Sequence, residues 1–258
     1  MKNKEKRIDA LKELLQRENS MKISDISDRL GVSSMTIRRD IDILAKNDIL
    51  KVLHGVVVYS SGDTGTGLSD YMLTEAESEN IEKKKALGRY AATLIEENDI
   101  IFIDAGSTTE AFAQFLPKDI HFTVLCYAIN IFLAVATHKN VDVILCGGFY
   151  NRKTTILEQT KTPDLLMENR TRKAFLSAGG VHWKLGVMCA NQSECHIKRA
   201  ALSSTAQSYL LIDSTKFGHI HSCFFSQEKD FDHIITNSDI PQDYKNYLKE
   251  QEIDVHYV

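Results

Sequence analysis

Apolar positions follow one rhythm at the amino end of this 258-residue chain and another through the rest. Between residues 4 and 17, Ile8, Leu11, Leu14 and Leu15 recur among charged residues at the three- and four-residue steps of one helix face. Residues 23–30 predict a second short helix, capped by Ser24 and broken by Gly31-Val32. Ser33 then caps a third helix, because its hydroxyl can accept from an unpaired amide of the first turn. In that helix Ile37, Ile41 and Leu44 make one apolar stripe. Met35, Arg38, Arg39 and Asp42 fall on the opposite side, with Thr36 at its edge. Residues 49–58 are rich in β-branched and aliphatic side chains and break at Gly55, which predicts a hairpin.

The rhythm changes after Ser60-Ser61-Gly62-Asp63-Thr64-Gly65-Thr66-Gly67, a run with the composition of a turn or linker. A helix is predicted over residues 78–97, with Lys83-Lys84-Lys85 on its solvated side. Beyond it, apolar runs at 100–104, 123–127, 141–146, 173–177, 208–213 and 233–236 read as strands. Helical patterns lie between and after them, near 109–115, 129–138, 194–207 and 243–251. Nearly continuous apolar strands alternating with helices predict an α/β domain with a mainly parallel sheet covered on both faces. Ligands of such sheets sit at the carboxyl ends of the strands. The expected organisation is a DNA-binding domain over 1–59, a linker over 60–77 and an effector domain over 78–258.

Charge sharpens this division. Residues 1–55 carry 12 Lys+Arg against 9 Asp+Glu, and the remainder 19 against 26, so a net of +3 faces a net of −7. The small basic excess sits with the helical amino end, where a phosphate-contacting module needs it. Five scattered cysteines predict buried, reduced thiols and a cytoplasmic home. The longest apolar run, residues 128–136, contains Asn130 and is too short to span a bilayer, and no targeting segment is read.

Three stretches carry the chemistry. Ser33-Ser34-Met35-Thr36-Ile37-Arg38-Arg39-Asp40 closes a helix, glycine turn, helix pattern. Its adjacent arginines match a guanine edge or a phosphate, and its threonine methyl can touch thymine. The same residues also suit a plain surface helix with its arginines paired to Asp40 and Asp42. In the second stretch, Asp104-Ala105-Gly106-Ser107-Thr108-Thr109 ends the first strand of the α/β region just before a helix. Backbone amides, three hydroxyls and a helix dipole there can cradle an anion, or can be only a capped turn. No Gly-Lys-Ser/Thr follows, so the loop is not a nucleotide-triphosphate motif. The third, Asp213-Ser214-Thr215-Lys216-Phe217-Gly218, offers Lys216 as a point charge at another strand end. Gly147-Gly148, Gly179-Gly180 and Gly186 add turns that allow close backbone approach. His219-x-His221-x-Cys223 puts three side chains at period two but lacks the spacing of a zinc set, so no metal or cofactor is expected.

Leu30-Gly31-Val32-Ser33 with Thr36-Ile37-Arg38-Arg39-Asp40 resembles the amino-terminal winged helix-turn-helix of the DeoR family of bacterial repressors. In one departure from that pattern, His54-Gly55 is followed by Val56 rather than a second glycine. The Asp104–Thr109 loop, the Gly147-Gly148 turn and Asp213–Gly218, with Leu125–Ala134, Leu145–Gly148 and Ser177–His182, extend the resemblance through the chain. It implies a fold similar to ribose-5-phosphate isomerase and the coenzyme A transferases. It also implies a repressor of a sugar or deoxyribonucleoside operon, released from double-stranded operator DNA by a phosphorylated sugar such as deoxyribose 5-phosphate. A homo-oligomer, dimer or higher, goes with that role. The implied DNA contacts are Ser33, Ser34, Met35, Thr36, Arg38, Arg39, Asp42 and His54. The implied ligand shell is Asp104, Gly106, Ser107, Thr108, Thr109, Tyr127, Asn130, Gly147, Gly148, Glu194, Lys198 and Lys216. A sugar-phosphate isomerase with an appended regulatory module is the alternative; the isomerase's acidic catalytic loop and glycine-rich lysine loop are not evident, and no catalytic residue is assigned.

Overall fold

The structure, a computed structural model, describes residues 7, 8, 10–15, 20–45, 50–53, 56–59 and 80–258. The predicted linker over 60–77 and the hairpin tip at His54 and Gly55 lie outside the described residues. The chain divides into two units, Met1–Ser69 and Asp70–Val258.

In the first unit, helical residues 7, 8 and 10–15 precede β1 (Ser20–Lys22), α1 (Ile23–Leu30), α2 (Ser34–Ala45), β2 (Leu50–Leu53) and β3 (Val56–Tyr59). The strands form an antiparallel sheet in the order β1-β3-β2. Its core is the predicted stripe: Leu11, Leu15, Ile23, Ile26, Ile37, Ile41, Leu44 and Val57 are buried together. Gly31 turns the chain between α1 and α2 at φ 64°, a conformation that only glycine adopts without cost. Ser33 caps α2 as expected, accepting from the Thr36 amide at 3.3 Å. Asp40 does not pair with the neighbouring arginines. It is buried, and Arg7 donates to it from the first helix at 2.5 and 3.1 Å.

The second unit runs α3 (Ile81–Ala92), β4 (Ile100–Ile103), α4 (Ser107–Ala113), β5 (Phe122–Cys126), α5 (Ile129–Val135), β6 (Val141–Leu145), β7 (Phe149–Tyr150) and β8 (Leu157–Glu158). Then follow α6 (Thr162–Glu168), β9 (Thr171–Ser177), β10 (Gly180–His182), β11 (Gly186–Cys189), α7 (Gln192–Ser204) and β12 (Thr205–Leu211). The chain closes with β13 (Cys223–Ser226), β14 (His233–Thr236), α8 (Gln242–Glu250) and β15 (Asp254–Tyr257). Seven strands form one parallel sheet in the order β15-β14-β12-β9-β4-β5-β6. The inner strands are buried almost throughout, as a parallel sheet covered by helices requires. A small antiparallel sheet, β10-β11-β13, which the apolar pattern did not predict, stands beside them.

One glycine sets how two helices meet. A Cβ on Gly88 of α3 would lie 2.8 Å from the Phe112 Cα of α4, too close for any side chain. Gly88→Val is therefore expected to destabilise the protein by roughly 3 kcal/mol, because overpacking wins and valine brings little helix-propensity gain over glycine. Thermal unfolding of the variant checks this.

Candidate functional site

In the first unit, the face of α2 opposite its buried stripe carries Ser33, Ser34, Met35, Arg38 and Arg39, all exposed, with Thr36 half-buried at the edge. Met35 is 63% exposed, which is costly for an apolar side chain unless a partner covers it. Asp42 lies further along the same helix. A short helix on a firm three-helix core, with two guanidinium groups outward, has the shape and charge to enter a major groove.

In the second unit, the carboxyl ends of β4, β5 and β9 converge on Asp104. Its side chain is fully buried and gathers donors from three other segments. Tyr127, after β5, donates its hydroxyl at 2.7 Å, and the Ser177 amide, closing β9, donates at 2.9 Å. Lys198 of α7, itself 1% exposed, donates to the same carboxylate and to the Ser177 carbonyl at 3.0 Å. Burial pushes the Tyr127 phenol well above its usual range, and the Asp104 charge pushes it further. For Lys198, burial alone lowers the pKa, but Asp104 and Glu194 outweigh it and hold the ammonium above the ordinary lysine value.

Above this hub lies a partly open cavity of about 80 Å³. Gly106, Ser107, Thr108, Glu194, Lys198 and Lys216 line it, six of the expected shell. Gly106 is held at φ 128°, and a Cβ there would meet the Ser177 Oγ at 2.9 Å. Glu194 accepts from Asn191 at 2.6 Å and faces Lys198 at 3.7 Å. Burial raises its pKa, and Lys198 opposes that shift.

The other six expected residues stand elsewhere. Asp104 and Tyr127 form the hub beneath the floor, with their polar atoms taken. Thr109 is buried and donates to the Gly106 carbonyl at 3.0 Å. Asn130 donates to Glu110 at 2.8 Å and accepts from the Thr155 hydroxyl at 2.9 Å, so it anchors the loop before β8. Gly147 and Gly148 are off the wall, and Gly148 instead makes room for Glu158, whose carbonyl would lie 2.5 Å from an added Cβ.

Other residues take part that the sequence reading had not singled out for the site. Lys84 is 3% exposed and lines the cavity, contrary to the expectation that the whole lysine triplet is solvated. The cause is geometric: Lys84, Leu87, Gly88 and Ala91 share the buried face of α3, and the close approach at Gly88 draws that face inward. Thr154 lines the cavity with a buried hydroxyl that has no hydrogen-bond partner among the described residues. The next residue, Thr155, sits at φ 59°, rare for a β-branched side chain and a mark of a loop held in place by its surroundings. Ser177 and His221 complete the polar lining. His219 and His221 precede β13, so the His-x-His-x-Cys run does not share one strand.

The cavity thus offers three ammonium groups, a line of hydroxyls and one carboxylate, a donor-rich set suited to a polyhydroxylated anion. The helix dipole adds little, since α4 is only seven residues long. All five cysteines are free and buried, and burial pushes Cys126 up to about 12 and Cys146 to about 11. Cys189, in the cavity wall, has its Sγ 3.4 Å from that of Cys195; this contact lowers the Cys195 pKa to about 7. Among the described residues no helix is long and apolar enough to cross a membrane.

Residues 7–62 match the DeoR-like helix-turn-helix domain, and residues 79–238 match the DeoR C-terminal sensor domain. The deoxyribose operon repressor of Escherichia coli K12 is 31% identical over 98% of both chains. The transcriptional regulator IolR of Bacillus subtilis is 27% identical over 97% of this chain and 98% of its own. Among solved structures, ribose 5-phosphate isomerase A from Methanocaldococcus jannaschii aligns at 13% identity and a TM-score of 0.41, over 54% of this chain and 55% of that one. The chain belongs to the DeoR family of DNA-binding transcriptional repressors, its helix-turn-helix domain preceding its sensor domain.

Proposed function

We propose that the protein represses a sugar-catabolic operon and releases its operator when a phosphorylated sugar, deoxyribose 5-phosphate first among the candidates, enters the cavity. The observation that carries this reading is the cavity lining: Lys84, Lys198 and Lys216 converge with Ser107, Thr108 and the unpartnered Thr154 hydroxyl. Lys216 and Lys84 take the phosphate; Glu194 accepts from a sugar hydroxyl. Lys198 is already balanced by Asp104, so its task is to hold the floor in shape. The extent of the match to the E. coli deoxyribose operon repressor favours the deoxy sugar.

The repressor acts as a homo-oligomer in the cytoplasm, pairing two α2 helices with two operator half-sites. Ligand-induced release needs only differential affinity, a coupling of about 1–3 kcal/mol between sites. A thermal-shift screen tests the cavity chemistry. At about a hundredfold excess over its dissociation constant, deoxyribose 5-phosphate is expected to raise the melting temperature by roughly 5–10 °C. Deoxyribose without phosphate should leave it unmoved. Equal shifts from both sugars, or none from any pentose phosphate, overturn the proposal.

A further inference from the structure

At the opposite end of the sheet from the cavity, three side chains turn their ligand atoms toward one point. β14 and β15 run parallel, with His233 beside Asp254 in register and His256 two residues further along β15. Residues two apart on a strand share a face, so Asp254 and His256 stand on the same side as His233. Asp254 Oδ2 lies 2.7 Å from His233 Nδ1 and 3.4 Å from His256 Nε2, and the two ring nitrogens are 3.4 Å apart. We propose that His233, Asp254 and His256 form a binding site for a divalent transition metal, zinc being the best fit.

The distances carry the proposal. Oxygen and nitrogen ligands about 2.0–2.2 Å from a tetrahedral zinc stand about 3.4 Å from one another. Two of the three separations already have that value. The third, 2.7 Å, is a hydrogen bond from the imidazole to the carboxylate and must open by about 0.7 Å. Asp254 can supply that movement, since its side chain is 57% exposed. Three protein ligands leave the fourth position to water.

The surroundings have the form of an outer shell. The Tyr90 hydroxyl of α3 lies 2.9 Å from His256 Nδ1, on the side of the ring away from the cluster. With Nδ1–H donating to Tyr90, Nε2 presents its lone pair inward, the tautomer a metal requires. Neutral His233 need only shift its proton from Nδ1 to Nε2, so no net proton leaves the rings. Tyr209 of β12 stacks on His233 at 4.7 Å between ring centroids and limits how that ring can turn. Both rings are thus steered by tyrosines, while the carboxylate between them stays open to solvent. A metal here would tie edge strand β15 to β14.

The test uses the untagged full-length protein in chelator-treated buffer. Titration with cobalt, a spectroscopic stand-in for zinc, should give one equivalent per chain, with visible d–d bands and no thiolate charge-transfer band, since the cysteines lie elsewhere. Zinc should displace it. Tyr90→Phe keeps all three ligands and should weaken binding about 10–100-fold, the usual cost of losing an outer-shell partner. Asp254→Asn and His256→Ala should weaken it further. Failure of the folded wild-type protein to take up cobalt or zinc overturns the proposal, as does a thiolate band or unchanged affinity in the Asp254 and His256 variants. The wild-type result decides alone if a variant does not fold.

Discussion

Lys198→Met is expected to lower the melting temperature of the second unit by roughly 6–20 °C. The lysine and Asp104 are a buried ion pair at the point where β4, β5, β9 and α7 meet. Removing one partner strands the other charge away from water, at a cost of about 3–5 kcal/mol. For a folding unit of this size, each kcal/mol moves the midpoint by about 2–4 °C. Tyr127 and Ser177 still donate to Asp104, so the loss should fall toward the lower end. Removing the pair together, as Lys198→Met with Asp104→Asn, should recover part of the stability, because the stranded Asp104 charge is then gone while Glu194 still lacks its facing ammonium. A double variant no more stable than Lys198→Met would show that the ammonium matters for something other than neutralising Asp104. Differential scanning fluorimetry of the two variants separates these outcomes.

Arg38→Ala should weaken operator binding by roughly 5–150-fold without changing the thermal stability of the first unit. The arginine is exposed on α2, and nothing in the core rests on it. A bidentate contact to a base edge is worth about 1–3 kcal/mol. Arg39→Ala should behave alike if it reads a base; if it grips phosphate instead, it should weaken all DNA evenly and flatten the salt dependence of log K by about one unit. Fluorescence anisotropy on operator and scrambled duplexes, at two salt concentrations, distinguishes the two roles. Unchanged affinity in both variants would mean that α2 does not face DNA.

The apolar rhythm located the inner sheet because parallel strands buried on both faces leave almost no polar positions. All six predicted strands belong to the seven-stranded sheet, with ends at most three residues off. The seventh, β15, is Asp-Val-His-Tyr, an edge strand too polar to register. The β10-β11-β13 sheet was hidden for a related reason: its strands are short and start with glycine or sit among polar residues. Helix α6 is only seven residues with Pro163 in its first turn, too short for a period.

The site was legible in part. Loop residues 106–108 and Lys216, in the segment after β12, could be read at strand ends, whereas Lys198 of α7 came only with the family resemblance. The family resemblance implied Asp104 as a member of the ligand shell. Its donors come from residues 127, 177 and 198, a convergence invisible along the chain. Lys84 was masked by its neighbours. A triple lysine reads as a solvated face, although the spacing 84, 87, 88 and 91 marks a buried one.

On the proposed function, charge entering the cavity of the second unit governs the grip of the first on DNA. Anisotropy of a labelled operator, titrated with deoxyribose 5-phosphate in the presence of wild-type protein and of Ser107→Asp, addresses it directly. Ser107 lines the cavity, so an aspartate there should repel the phosphate. Operator release is expected from the wild type at saturating ligand, none with deoxyribose plus inorganic phosphate, and none from Ser107→Asp, whose DNA affinity without ligand should be normal. Release of both proteins at the same ligand concentration would contradict it.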